Sequence, residues 1–297
     1  MTNETKGLML GLLGVVIFGL TLPMTRIAVA ELDPIFVGLG RAILAAVLAG
    51  LCLIVTRQKR PRGDQWRKLA ITIAGVIFGF PLLSALALRH ATAGHGGVII
   101  SILPLATAIA SVVFNRERPS AGFWFFSVLG SCAVAIFAGL EGAFHFGEAG
   151  AADLLLLGAV VAAAIGYAQG ADLARELGGW QVISWALVLA SPLVAIAVWN
   201  FSGPVHWDAS WKAWGAFLYV AVFSQFLGFF AWYAGLALGG VAKVGQVQLL
   251  QTFVTLIAAA LLVGEKIGLF EFGFALLIVA IVALGRRMRV AVRPVTK

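Results

Sequence analysis

The strongest constraint on this chain is a succession of ten apolar segments, at about 7–30, 34–56, 68–90, 94–115, 120–140, 152–175, 180–200, 212–238, 241–263 and 267–286. Each has about 20 residues, the length of helix that crosses ~30 Å of hydrocarbon. In lipid a backbone must satisfy its own N–H and C=O groups, which a helix does within one segment. The pattern predicts an all-α integral membrane protein with ten transmembrane helices. Composition agrees: 61% of the 297 residues are hydrophobic and 11% charged, where soluble proteins carry roughly a quarter charged residues. The longest polar connections, Arg57 to Arg67 and Glu141 to Ala151, are too short to bury a core of their own. Function is expected inside the helix bundle or at its mouths.

The first segment has some look of a secretory signal, because Ala28-Val29-Ala30 follows an apolar region. That region is longer than the roughly 7–15 residues of a signal core. Only Lys6 precedes it and Arg26 interrupts the approach to the small residues, so a retained helix is expected.

Basic residues set the orientation. With ten crossings and the N-terminus inside, Lys6, the cluster from Arg57 to Lys68, Arg116, Arg118, Arg175, Lys243 and the cluster from Arg286 to Lys297 all face the cytoplasm. Arg26, Arg89, Lys212 and Lys266 are left outside, and Arg41 lies within a helix. An excess of Lys and Arg marks cytoplasmic loops. Both termini are therefore expected in the cytoplasm, in a multi-pass protein of the cell inner (plasma) membrane. The net charge of +8 is spread over these short connections, which suits membrane lipids as partners and not nucleic acid. Trp66, Trp124, Trp180, Trp185, Trp199, Trp207, Trp211 and Trp214 fall near expected interfaces, as an aromatic belt requires, and Trp232 lies deeper. Cys52 and Cys132 sit inside apolar runs without metal-ligand spacing, so no metal, cofactor or disulfide is expected.

The stretch from Leu86 to Arg118 has a weak second copy. Leu86-Ala87-Leu88 corresponds to Leu236-Ala237-Leu238, and Glu117-Arg118 to Glu265-Lys266, at an offset of 148 residues near the end of each copy. The first copy ends on the expected inner side and the second on the outer side. Five-helix halves of odd count, 1–145 and 146–297, would therefore run in opposite directions. Inverted repeats of this kind commonly meet around a midplane site and rock to open it to either side.

Several of these features together are similar to the EamA-type drug/metabolite transporter superfamily: five plus five helices, Phe18-Gly19, Gly40-Arg41, Ala85-Leu86-Ala87-Leu88 before Pro104, and the paired Glu117-Arg118 and Glu265-Lys266. The resemblance covers nearly the whole chain. Within that superfamily the chain most resembles the YddG-type amino-acid exporters, which implies export of aromatic and other neutral amino acids by a monomer. It departs from them at two positions bearing on the pocket: Thr252 stands where the family often has proline, and Phe18 where it often has tryptophan.

The helix interiors point to a pocket on their own account. Pro104 frees a carbonyl in the preceding turn, with Ser101 one turn earlier; a packing kink is the alternative. Phe80 and Ser84 share a face beside Pro81. Gln248, Gln251, Thr252 and Thr255 follow i, i+3, i+4, i+7 spacing and form one polar stripe. Amides in hydrocarbon are costly unless paired or wetted, so the stripe marks a cavity or interhelical hydrogen bonds. Gln225, Phe229 and Trp232 share a face of the eighth helix, and Tyr167 and Gln169 come from the sixth. Amides, hydroxyls and aromatic faces suit a small neutral or zwitterionic solute with an apolar side chain. Arg41 could hold a substrate carboxylate, snorkel outward, or bind carbonyls at a broken helix.

No Asp or Glu falls in the middle of an expected helix, so a carboxylate proton relay is hard to draw and uncoupled transport is expected. His90, His95, His145 and His206 are expected to be loop or interface residues. An enzyme would need a nucleophile with a base, paired acids or metal-ligand spacing at membrane depth, and none is present. The rival within transport is a multidrug, sugar or nucleotide-type member of the same superfamily.

Overall fold

The computed structural model describes residues 3–115, 117–140, 148–266, 268–286 and 290–292. Helices occupy every apolar segment, and prolines, glycines and widened turns divide most of them. The first consists of α1 (Asn3–Gly19) and α2 (Thr21–Val29). Pro23 lies behind that division. It has no N–H for the Gly19 carbonyl four residues earlier, and the Thr255 hydroxyl donates to that carbonyl at 2.8 Å.

A π-helical turn, Phe36–Gly40, leads into α3 (Arg41–Val55). The next span joins α4 (Gln65–Thr72), a π segment at Ile73–Gly79 and α5 (Phe80–Ala87). α6 (Ala93–Ile100) and α7 (Leu103–Asn115) are two pieces of a helix interrupted just before Pro104. α8 (Ala121–Leu140), α9 (Glu148–Leu177) and α10 (Gly179–Phe201) follow unbroken. Then come α11 (Trp211–Tyr219), a π segment at Val220–Leu227 and α12 (Gly228–Gly239). The second interrupted helix consists of α13 (Val241–Gly245), a 3-10 turn at Gln246–Gln248, α14 (Leu249–Ala258) and a π turn at Ala259–Val263. α15 (Leu269–Arg286) is the last.

Eight of these spans are long and apolar enough to cross a membrane, counted among the described residues. α8 and α15 occupy the segments from which the fifth and tenth crossings are expected. The fold is all-helical as expected, apart from a short ribbon in which β1 (Glu117–Pro119) pairs antiparallel with β2 (Val290–Val292), Arg118 opposite Ala291. The outer surface is apolar, with Ile54, Val55, Leu154 and Leu261 among its most exposed side chains, as lipid-facing helices require. Trp199, Trp207 and Trp211 are at least 79% exposed while Trp232 is fully buried. Both cysteines are free thiols.

The two interrupted helices lie side by side and antiparallel. At one end the Ala93 and Gly94 N–H groups donate to the two carboxylate oxygens of Glu265, each at 2.8 Å. At the other end Ala242 packs against Leu105 and Ala108. Glu265 thus caps α6 from the opposite half of the chain, where unsatisfied N–H groups and the helix dipole favour an anion. Glu265→Ala should lower stability by roughly 1–3 kcal/mol, with Glu265→Gln intermediate, because two backbone donors lose a charged acceptor. Thermal melting in detergent reads this directly; equal melting temperatures for wild type and Glu265→Ala would rule the cap out as a stabilising contact.

Other polar ties join distant segments. The Ser210 hydroxyl and N–H both donate to Glu31 at 2.6 Å, and these bonds hold the Glu31 carboxyl below the usual carboxylate range. His95, in the first turn of α6, ties that helix to α9: its Nε2 lies 2.6 Å from Asp153, which is itself 5% exposed.

Candidate functional site

Interrupted and widened helices carry most of the residues around a narrow central cavity, lined by Phe18, Thr21, Arg41, Val76, Phe80, Tyr167, Ser224, Gln225, Phe229 and Gln251. Both halves of the chain contribute. The centre of a water molecule can reach only about 20 Å³ of this space. One or two waters fit, and a larger solute requires the walls to part.

The π segments explain how several of these residues reach the cavity. A π turn shifts the helical register by one residue and releases a carbonyl, which is why such turns gather at functional sites. Val76 lies in one π segment, and its carbonyl accepts from Gln225 Nε2 at 3.0 Å. Ser224 and Gln225 lie in another, and Arg41 follows directly on a third. Thr21 opens α2 just past the break in the first span, where its hydroxyl pairs with that of Ser224 at 2.8 Å.

Aromatic rings build one wall. The Phe18 and Tyr167 rings stack at 6.5 Å and 10°, and Phe229 meets Phe18 at 5.0 Å. Trp232 backs this wall, 6.1 Å from Phe18 and 5.4 Å from Tyr167, without lining the cavity.

Beside it lies a second, tighter crevice between α6 and the polar stripe, too narrow in this state for a water, lined by Gly97, Ile100, Leu103, Gln248, Gln251, Thr252 and Thr255. Gln251 borders both spaces. Ile100 carries the carbonyl that a residue other than proline at position 104 would bond. Burial here is severe: Gln248 is 2% exposed, Gln251 5% and Thr252 2%. Both amide atoms of Gln248, and Oε1 of Gln246 and of Gln251, have no hydrogen-bond partner among the described residues. Each such group costs about 1–3 kcal/mol of desolvation. Unsatisfied buried polar groups are few in native proteins and each calls for an explanation; a change of state that admits a solute would provide one here.

Of the residues expected from sequence, Phe18, Phe80, Tyr167, Gln225 and Gln251 line the central cavity, and Gln248 and Thr252 line its neighbour. Ser84 and Ser101 line neither. The Ser84 hydroxyl donates to the Phe80 carbonyl at 2.6 Å and the Ser101 hydroxyl to the Val98 carbonyl at 2.5 Å, each satisfied within its own helix. Pro104 shapes the interruption from the first turn of α7 without lining a cavity. Gln169 is 7% exposed and lines neither space. Thr255, a member of the same stripe, acts as interhelical glue through its bond to Gly19. Thr21, Arg41, Val76, Ser224 and Phe229 complete the lining.

A small cavity of aromatic faces with a few polar groups, set among membrane-length helices from both halves of the chain, is the arrangement a membrane transport protein uses. The chain belongs to the EamA-like transporter family, which matches it twice, over residues 5–139 and again over 150–285. It is 44% identical over 288 residues to the Bacillus subtilis (strain 168) protein named uncharacterized transporter YdeK, covering 97% of this chain and 99% of that one. A protein of Archaeoglobus fulgidus named uncharacterized transporter is 25% identical over 268 residues, 86% of this chain and 90% of its own. A solved structure titled "Crystal structure of protein" superposes with a TM-score of 0.71 over 94% of this chain and 97% of that one at 16% identity, which shows a shared fold.

Proposed function

We propose that this protein exports small neutral metabolites, foremost aromatic and other neutral amino acids, across the cell inner membrane by alternating access without ion coupling. The observation that carries this is the composition of the central cavity: Phe18, Tyr167 and Phe229 offer apolar faces, Gln251 offers an amide oxygen, Arg41 supplies a charge, and among the described residues no Asp or Glu lines it. Aromatic faces with a few convergent polar groups match a solute with one apolar and one polar end. Without a lining carboxylate, the cavity lacks the usual carrier of a coupled proton.

The architecture proposed with it is ten crossings in two inverted halves, 1–145 and 146–297, with both termini in the cytoplasm. The double family match and the antiparallel pairing of the two interrupted helices support that arrangement. Inverted halves around a midplane site interconvert by rocking, and the tightness of the cavity fits a step between its two open forms. The expected result in proteoliposomes is uptake of labelled L-phenylalanine down its gradient at a rate that does not change when a pH gradient is imposed. Strong dependence on the direction of the pH gradient would overturn the uncoupled mechanism, and a complete lack of amino-acid transport would overturn the substrate class.

A further inference from the structure

We infer that Arg41 is the carboxylate-binding residue of the cavity, and that the substrate is a small carboxylate with an apolar, aromatic-sized body. Arg41 stands first in α3, directly after a π turn, and lines the central space at 2% exposure. It neither snorkels outward nor binds the carbonyls of a broken helix. Its Nε has no hydrogen-bond partner, and among the described residues no carboxylate lies within 4.0 Å of its guanidinium. Arg26 shows how a purely structural arginine is treated in the same bundle: its Nη1 donates to the Leu88 and Arg89 carbonyls at 2.5 and 3.0 Å.

An arginine holds its charge in effectively every environment and presents five N–H donors with no acceptor. Burying that charge without a partner is strongly unfavourable, and an anion bound in good geometry offsets much of the cost. The remaining polar lining leaves that anion to be supplied from outside. Thr21 and Ser224 bond each other, Gln225 Nε2 donates to the Val76 carbonyl, and the Tyr167 hydroxyl and the glutamine oxygens of the lining are neutral, so none of them balances the charge. Gln251 Oε1, buried without a hydrogen-bond partner among the described residues, repels a carboxylate and suits an N–H or ammonium group. A carboxylate forked onto Arg41 with its body against Phe18, Tyr167 and Phe229 satisfies the charge and fills the apolar wall. An amino acid and a simple aryl carboxylate both carry this chemistry; an amine does not.

The inference rests on the proposed transport only for its use, since binding can be read separately. Three probes separate the cases: L-phenylalanine, 3-phenylpropionate and 2-phenylethylamine, tested on the purified full chain for thermal stabilisation and in proteoliposomes for transport. Wild type should be stabilised by the two carboxylates and not by the amine. Arg41→Gln should weaken carboxylate binding by roughly ten- to hundredfold, the value of a charge-assisted fork, and Arg41→Lys should retain part of it. Stabilisation by 3-phenylpropionate but not by L-phenylalanine would assign the site to a simple carboxylate, and the reverse to an amino acid; both keep Arg41 as the anchor. Stabilisation by the amine equal to that by L-phenylalanine overturns the inference, as does unchanged carboxylate binding in an Arg41→Gln protein of wild-type melting temperature. The comparison of probes on wild type stands even where the variant does not fold. Carboxylate binding without transport would sink the exporter proposal and leave the anchor in place.

Discussion

Gln248→Leu and Gln251→Leu should each lower L-phenylalanine transport by roughly tenfold or more while leaving the melting temperature unchanged or raised. The two effects have opposite signs because these amides are paid for by function and not by folding. Both amide atoms of Gln248, and Oε1 of Gln251, are buried without a partner. Removing an unsatisfied buried polar group abolishes its desolvation cost, and an apolar group of similar shape is neutral or stabilising. An amide serving as interhelical glue would behave oppositely, since its loss breaks a bond worth about 0.6 kcal/mol in membrane helices. Thr255→Val supplies that contrast, because its hydroxyl donates to the Gly19 carbonyl left open by Pro23. Its melting temperature should fall. Wild-type transport in both leucine variants would remove the polar stripe from the site.

How much of this was readable in the sequence depends on which periodicity positions the residue. The stripe of Gln248, Gln251, Thr252 and Thr255 is visible because α14 keeps 3.6 residues per turn, and four polar side chains in an apolar segment then share a face. The interruption at Pro104 was visible because proline lacks a donor. Val76, Ser224 and Arg41 owe their placement to π turns, whose one-residue shift leaves no mark in apolar patterning. Thr21 owes its placement to the break behind Pro23. Ser84 and Ser101 mislead for a different reason: a hydroxyl in a helix can bond the carbonyl three or four residues back, and both do so. Sequence shows a polar atom in an apolar segment but not whether its own helix has already satisfied it. Arg41 posed the same question, and there the cavity and the unpartnered Nε answer it in the other direction.

Gly235→Leu should have the largest structural effect of any substitution considered, leaving little or no monodisperse protein on size-exclusion chromatography in detergent. Gly7 and Gly11 on α1 face Gly235 and Gly239 on α12, so two small-xxx-small faces meet. A Cβ built on Gly235 would lie 2.8 Å from the Gly11 nitrogen and 2.9 Å from the Gly7 carbonyl oxygen. One on Gly7 would lie 2.7 Å from the Gly239 nitrogen. These neighbours are backbone atoms, so no rotamer change relieves the contact and the helices must separate. Ordinary overpacking in a core costs about 1–3 kcal/mol because side chains can give way; here that relief is absent. Separation would also reach the cavity, since α1 carries Phe18 and α12 carries Phe229 and Trp232, whose rings touch across the same seam. Gly215, where an added Cβ meets nothing within 4 Å, provides the control. Gly215→Leu should behave as wild type. If Gly235→Leu yields as much monodisperse protein as Gly215→Leu, the close α1–α12 approach is not needed for the fold, and the aromatic wall must be held by its own ring contacts.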